Sequence, residues 1–227
     1  MGIKERQERD REAVRRAILD AARDLFTTEG YRNVSIRKIA ERIEYSPAAI
    51  YSYFPSKDDI FFALAEEGFR LLGDPANCTE TAGPLERIRA IFWRLYRFSR
   101  EHPQYFALMF VDRSVPRIGR EYERFAFVLE TKRHLVAEIE RGIEAGVFPA
   151  TLNPAVAVRL LTVGLLGVAV LSLSERLAPG EDPECLASDV IATTLAGLQA
   201  GVALKSSGSL ECAQQERVSD ESGFVTS

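Results

Sequence analysis

The chain has 227 residues, with 29 Lys and Arg against 33 Asp and Glu, a net charge of −4; 46% of it is apolar and 27% charged. That composition belongs to a globular protein long enough to bury a real core without covalent staples. It excludes a chain coated in positive charge and, at first sight, one held to nucleic acid by charge alone.

The three cysteines, Cys78, Cys185 and Cys212, are far apart and form no Cys-x-x-Cys pair. They point to reduced thiols and a cytoplasmic location, with no disulfide framework, no metal site and no cofactor. The charged start, Met1 to Arg6, lacks the apolar stretch of a secretory leader. The most apolar run, 160–173, contains Thr162, Gly164, Gly167 and Ser172 and falls short of the roughly 20 residues of a membrane span, so no membrane partner is expected.

Residues 1–12 are nearly all charged and are expected to form a flexible N-terminus. From Arg11 onward, Val14, Ala17, Ile18, Ala21, Ala22 and Leu25 follow helical spacing, and Gly30 is placed to end that helix. Ser35 caps a second helix over 36–43, whose apolar face is Ile36, Ile39, Ala40 and Ile43. Ser46-Pro47 sets a cap beside a proline at the first helical position and opens a very short third helix reaching about residue 53. Phe54-Pro55 ends it.

Ser56 caps a fourth helix, with Asp58 and Asp59 in its first turn, that runs to about residue 72. The stretch 73–83 reads as a loop. Five further helices are expected at about 84–101, 103–112, 117–146, 154–177 and 183–204. No segment alternates like a strand, so the expected fold is all-α with about nine helices. The polar tail 205–227 is expected to be disordered.

Two short helices joined by a tight turn, the second opening Ser-Pro, have helix-turn-helix spacing. A major groove about 12 Å wide admits one helix, which must be held proud of its support. Ser46, Ala48 and Ala49 are small enough to let the leading end approach base edges, while Ile50 and Phe54 anchor the other face.

Around this motif stand Ile18-Leu19-Asp20-Ala21-Ala22-Arg23-Asp24-Leu25-Phe26, Glu29-Gly30-Tyr31, Val34-Ser35-Ile36-Arg37-Lys38-Ile39-Ala40, Tyr45-Ser46-Pro47, Ile50-Tyr51, Tyr53-Phe54 and Ser56-Lys57-Asp58-Asp59-Ile60. Together they resemble the DNA-binding region of the tetracycline-repressor (TetR/AcrR) family of bacterial transcription regulators. Glu101-His102-Pro103-Gln104-Tyr105-Phe106 and Ile143-Glu144-Ala145-Gly146-Val147-Phe148 resemble its regulatory domains. One position departs: Glu44 stands in the turn where the family usually has Gly.

The resemblance implies phosphate contacts from Ser35, Arg37, Tyr51, Tyr53 and Lys57, and base contacts from Ser46, Pro47, Ala48, Ala49 and Ser52. It implies a DNA-binding domain over 13–57 and a ligand-binding and dimerisation domain over 58–204. Each residue has a plainer reading beside the functional one. The tyrosines can be packed aromatics, Arg37 a solvated charge, and Ser35 and Ser46 caps. Arg6, Arg9, Arg11, Arg15 and Arg16 alternate with Glu5, Glu8, Asp10 and Glu12, which reads as a solvated helix start rather than an arm over DNA.

Of 21 aromatic residues, 16 lie between positions 51 and 127. They build a core and, on the functional reading, a pocket for a small apolar or aromatic ligand. The candidate walls are Phe62, Phe69, Trp93, Tyr96, Phe106, Met109, Phe110, Phe125, Leu129 and His134; His102 reads as a helix-end residue. The segment 154–177 is apolar nearly all round and cannot face water. With 183–204 it is expected to form half of a two-fold interface through Leu160, Val163, Gly164, Gly167, Val168, Leu171, Ile191, Leu195 and Leu198.

The chain carries no Ser/His/Asp set, no phosphate-cradling Gly loop and no metal-spaced His/Glu pair, so an enzyme is not expected. An accessory helical dimer that binds a protein is the other alternative. The expected function is a homodimeric repressor that binds a palindromic operator in double-stranded DNA and is released by a small inducer. Charge agrees once divided: residues 1–57 hold 12 basic and 9 acidic residues, a balance of +3, and the remainder carries −7.

Overall fold

The computed structural model describes residues 2–73, 83–116 and 126–206. Nine α-helices and no strand occur among them: α1 (Ile3–Glu29), α2 (Ile36–Arg42), α3 (Pro47–Tyr51), α4 (Lys57–Leu72), α5 (Pro84–Glu101), α6 (Pro103–Phe106), α7 (Ala126–Glu144), α8 (Pro154–Leu173) and α9 (Pro183–Gln199). The expected tail beyond 206 and the loop 74–82 lie outside the described residues.

The helices fall into two compact units. Among described residues, the first contains 2–73, 94–116, 126–131 and 173–175, and the second 83–93, 132–172 and 176–206. In the first unit α1 packs against α2 and α4, and α6 packs against α1 and α4. Its core is Ile18, Ala22, Phe26, Ile39, Ile50, Ile60, Phe61 and Leu64, all essentially closed to solvent. Each large side chain there contributes about 1.5–3 kcal/mol of transfer free energy.

The start of α1 differs from expectation. Residues 1–12 were expected to be flexible, yet the helix begins at Ile3. The Glu5 carboxylate accepts from the Gly2 amide (3.0 Å) and the Arg9 guanidinium donates to the Glu5 carbonyl (3.3 Å). Acidic residues near a helix start and i,i+4 contacts both favour extension.

The segment after Pro103 also differs. α6 stops at Phe106, and Ala107–Val111 forms a π-turn, closed by the Asp112 amide on the Ala107 carbonyl (2.8 Å). The helix expected over 117–146 is described from Ala126 to Glu144.

In the second unit α8 buries Val156, Ala157, Leu161, Leu165, Val168 and Ala169. It is 20 residues long, and by length and composition apolar enough to cross a membrane, because Ala155–Val158 add to the apolar run that the sequence shows at 160–173, with Arg159 between them. The helix ends at Leu173 rather than 177: Glu175 takes φ 55° and the Arg176 amide closes on the Leu171 carbonyl (2.9 Å). α9 buries Ala187, Ile191, Leu195 and Leu198. Buried Glu138 is held by Arg87 (2.7 Å) and Arg141.

Candidate nucleic-acid interface

The supporting helix starts at Ser35, whose hydroxyl accepts from the Lys38 amide (3.2 Å). Ile36, Ile39 and Ala40 bury its inner face. The turn that follows is tight. The Ile43 amide (3.3 Å) and the Tyr45 amide (2.9 Å) both donate to the Ala40 carbonyl, and between them Glu44 sits at φ 58°. That is the left-handed region, where an L side chain costs about 1–2 kcal/mol.

Ser46 then caps α3 by accepting from the Ala49 amide (3.2 Å), with Pro47 at the first helical position. Only Ile50 of α3 is buried. Ser46, Pro47 and Ala48 are exposed and Ala49 is half-buried. Tyr51 is 54% exposed. The Ser52 hydroxyl donates to the Ala49 carbonyl (2.6 Å) and remains exposed. α3 ends at Tyr51, so Tyr53, half-buried, follows the helix rather than closing it. Phe54 is buried beneath, with the Arg15 guanidinium 5.4 Å from its ring centre.

Ser35, Arg37, Ser46, Pro47, Ala48, Tyr51 and Ser52 therefore lie at the surface on two adjoining elements. Arg37 forms no ion pair among the described residues, unlike Lys38, which pairs with Glu29. Tyr45, 45% exposed, and exposed Arg42 border the same turn and were not among the expected contacts; a polar residue flanking the turn is the one sequence feature that points to them.

Lys57 has a different occupation from the one expected. Its ammonium donates to the carbonyls of Tyr31 (2.9 Å) and Val34 (3.0 Å) and lies 4.1 Å from the centre of the Tyr31 ring. Burial pushes its pKa down, partly offset by Asp58. Two of its three N–H bonds thus tie α4 to the segment before α2. Tyr31 in turn donates its hydroxyl to Asp58 and packs edge-on against Phe26 (5.0 Å) and Phe61 (5.8 Å). Burial and the Asp58 carboxylate raise the Tyr31 pKa well above its ordinary value.

The expected pocket residues divide between the units. Phe62, Phe69, Tyr96, Phe106, Met109, Phe110 and Leu129 belong to the first, where Phe110 lies 5.2 Å from Phe106 and 6.2 Å from Phe69 between ring centres. Trp93 and His134 belong to the second, and Phe125 lies outside the described residues. The expected interface also divides. Leu160, Val163, Gly167 and Leu171 form an exposed stripe on α8. Val168, Ile191, Leu195 and Leu198 are buried within their own chain instead, and a Cβ on Gly164 would stand 2.6 Å from Val190. Their apolar character serves the core of the second unit.

A short helix with small exposed residues at its leading end, braced across a tight turn by a capped helix, defines a helix-turn-helix DNA-binding protein. Comparison with known proteins agrees. Residues 18–64 match the family model for bacterial regulatory proteins, tetR family, and residues 88–194 match the one for the tetracyclin repressor-like C-terminal domain. The HTH-type transcriptional repressor KstR of Rhodococcus jostii is 29% identical over 119 residues, 48% of this chain and 56% of KstR, so the chain spans about half of that relative. The nucleoid occlusion factor SlmA of Vibrio campbellii is 31% identical over 170 residues, covering 70% of this chain and 82% of SlmA. Among solved structures, the TetR family regulator PfmR of Thermus thermophilus is similar at a TM-score of 0.63 and 26% identity, covering 80% of this chain and 98% of PfmR. The chain belongs to the TetR family. It is classed with DNA-binding transcriptional regulators, not with enzymes.

Proposed function

We propose that the chain is a cytoplasmic, homodimeric repressor that binds a palindromic operator and is released by a small apolar or aromatic inducer. The observation that carries the reading is α3: all its residues except Ile50 and half-buried Ala49 are exposed, and its leading end is small. Ser46, Pro47, Ala48, Ala49 and Ser52 face base edges, where methyl and hydroxyl groups suit thymine methyls and either kind of polar edge. Ser35, Arg37, Tyr51 and Tyr53 meet phosphates and set the register. Lys57 supports this surface and has one N–H left for a phosphate.

Dimerisation is supported by the α8 stripe. Val163 is 61% exposed, Leu171 40% and Leu160 37%, an apolar face unusual in water. A second copy covers it and brings two recognition helices to successive major grooves about 34–36 Å apart. The ligand reading rests on the aromatic cluster of the first unit, in which Phe110 lies beside Phe106 and Phe69. Inducer and operator then oppose each other by a reciprocal coupling, typically about 1–3 kcal/mol.

A gel shift on the DNA upstream of the protein's own gene tests the core of this. Sequence-selective, salt-sensitive binding by a dimer is expected. Binding that ignores sequence, or binding by a monomer, removes the reading.

A further inference from the structure

The N-terminal charges alternate in sequence, but a helix sorts them by face. At about 100° per residue, Lys4, Gln7, Arg11 and Arg15 share the side of α1 on which Ile18 and Ala22 pack into the first unit. Of the carboxylates, Glu8 borders this face, four residues from Lys4 and three from Arg11, whereas Asp10, Glu12 and Glu5 lie about 100–120° round the helix from its centre. The segment that alternates evenly in sequence thus presents mainly basic side chains, with Glu8 at their edge, on this one side of α1.

That basic face continues the recognition surface. Arg15 lies 5.4 Å from the Phe54 ring and Arg11 lies 5.9 Å from the Tyr53 ring, the two aromatic residues that follow α3. Arg15 is paired to Glu12 (3.5 Å), whereas Arg11 makes no ion pair among the described residues. Lys4, Gln7 and Arg11 are exposed. Arg16, on the far side, is already taken by Asp20 (2.9 Å) and Glu67.

We infer that Arg11 and Lys4 form a second phosphate-binding surface, which grips the DNA backbone beside the segment read by α3. The inference rests on the proposal that α3 enters the groove. Their separation along the helix is about 10 Å, so the two cations are placed to meet different phosphates of the backbone. Arg11, seated on the Tyr53 ring, takes the nearer phosphate together with that tyrosine. Lys4 takes one farther from the base-reading helix. These contacts carry no sequence information; they add affinity and salt dependence.

The test uses the full chain and a duplex that it selects from a random-sequence library. Affinity is measured from about 50 to 200 mM salt. Lys4→Ala and Arg11→Ala are each expected to flatten the slope of log affinity on log salt by about 0.9 per protomer. Arg11→Lys keeps the slope, and Arg9→Ala, on the far side, leaves it unchanged. If Lys4→Ala and Arg11→Ala leave the slope as it is, or if Arg9→Ala flattens it equally, the inference is overturned. An affinity loss with no change of slope also overturns it, because that is the mark of a structural role. Should the wild type select no duplex, the groove-reading proposal falls first and this surface with it.

Discussion

Glu44 sits at φ 58° in the turn between α2 and α3. The family pattern has Gly there. The hydrogen bonds from Ile43 and Tyr45 to the Ala40 carbonyl show that the backbone keeps a tight left-handed turn and the side chain bears the cost. Glu44→Gly should therefore stabilise the protein by about 0.5–1 kcal/mol, after the extra chain entropy of Gly is subtracted. Glu44→Ala should give no gain, since it keeps a Cβ. Urea midpoints at neutral pH check both; equal gains for Gly and Ala would point to the charge instead of the backbone.

Tyr31 supplies a second expectation. Its pKa is raised in the folded state by burial and Asp58, so it stays protonated where an unfolded tyrosine ionises. The stability that this hydroxyl contributes is present below about pH 10 and lost as pH rises above it. Tyr31→Phe should cost about 1–3 kcal/mol at neutral pH, because Asp58 loses its donor. The gap between the two proteins should narrow above pH 10. Lys57, with its pKa lowered, has the opposite slope in both proteins and cancels in the difference. None of this partnership was legible in the sequence. The acceptors for Lys57 are backbone carbonyls, which have no residue signature, and so a lysine at a helix start looked like a free phosphate contact.

At the scale of elements, the capped and punctuated segments were the legible ones. Ser35, Ser46 and Ser56 each cap the helix their position predicts. The π-turn at Ala107–Val111 was not legible, because a shift from i−4 to i−5 bonding leaves the apolar spacing almost unchanged. α8 was legible as a helix but not as a set of faces. It is apolar all round, so periodicity gives no phase, and the six interface positions expected on it include buried Val168 beside exposed Val163, Gly167 and Leu171. Its two glycines separate the inner side from the outer. A Cβ at Gly164 would meet Val190 Cγ1 at 2.6 Å, whereas nothing lies within 4 Å of one at Gly167. Gly164→Ala should then destabilise by about 1–3 kcal/mol through overpacking. Gly167→Ala should raise the stability of the isolated protomer by about 0.5–1 kcal/mol through helix propensity. Thermal unfolding at a concentration too low for association measures both, and the same sign for the two would contradict the assignment of faces.

At the scale of the whole molecule, charge and symmetry have to be weighed together. The net charge of −4 conceals a balance of +3 in residues 1–57 and −7 in the rest. A DNA-binding region with so small an excess neutralises few phosphates, so one protomer alone holds DNA weakly at physiological salt. Selective binding on the proposed reading must come from two protomers engaging at once, with the second contact made effectively intramolecular by the first. That geometry is unforgiving. Half-sites in a two-fold arrangement are read one helical turn apart, and inserting about 5 bp between them rotates one half-site to the opposite side of the duplex. Such an insertion leaves every base contact available to a single protomer and alters neither length nor composition much. It should nonetheless lower affinity by more than about 100-fold, toward the non-specific level, since a specific site exceeds that level by about 10³–10⁷. Titration of the intact and the spaced duplex at one salt concentration makes the comparison. A spaced duplex bound as tightly as the intact one would mean that each protomer reads DNA independently, and the α8 stripe would then need a partner other than a second copy.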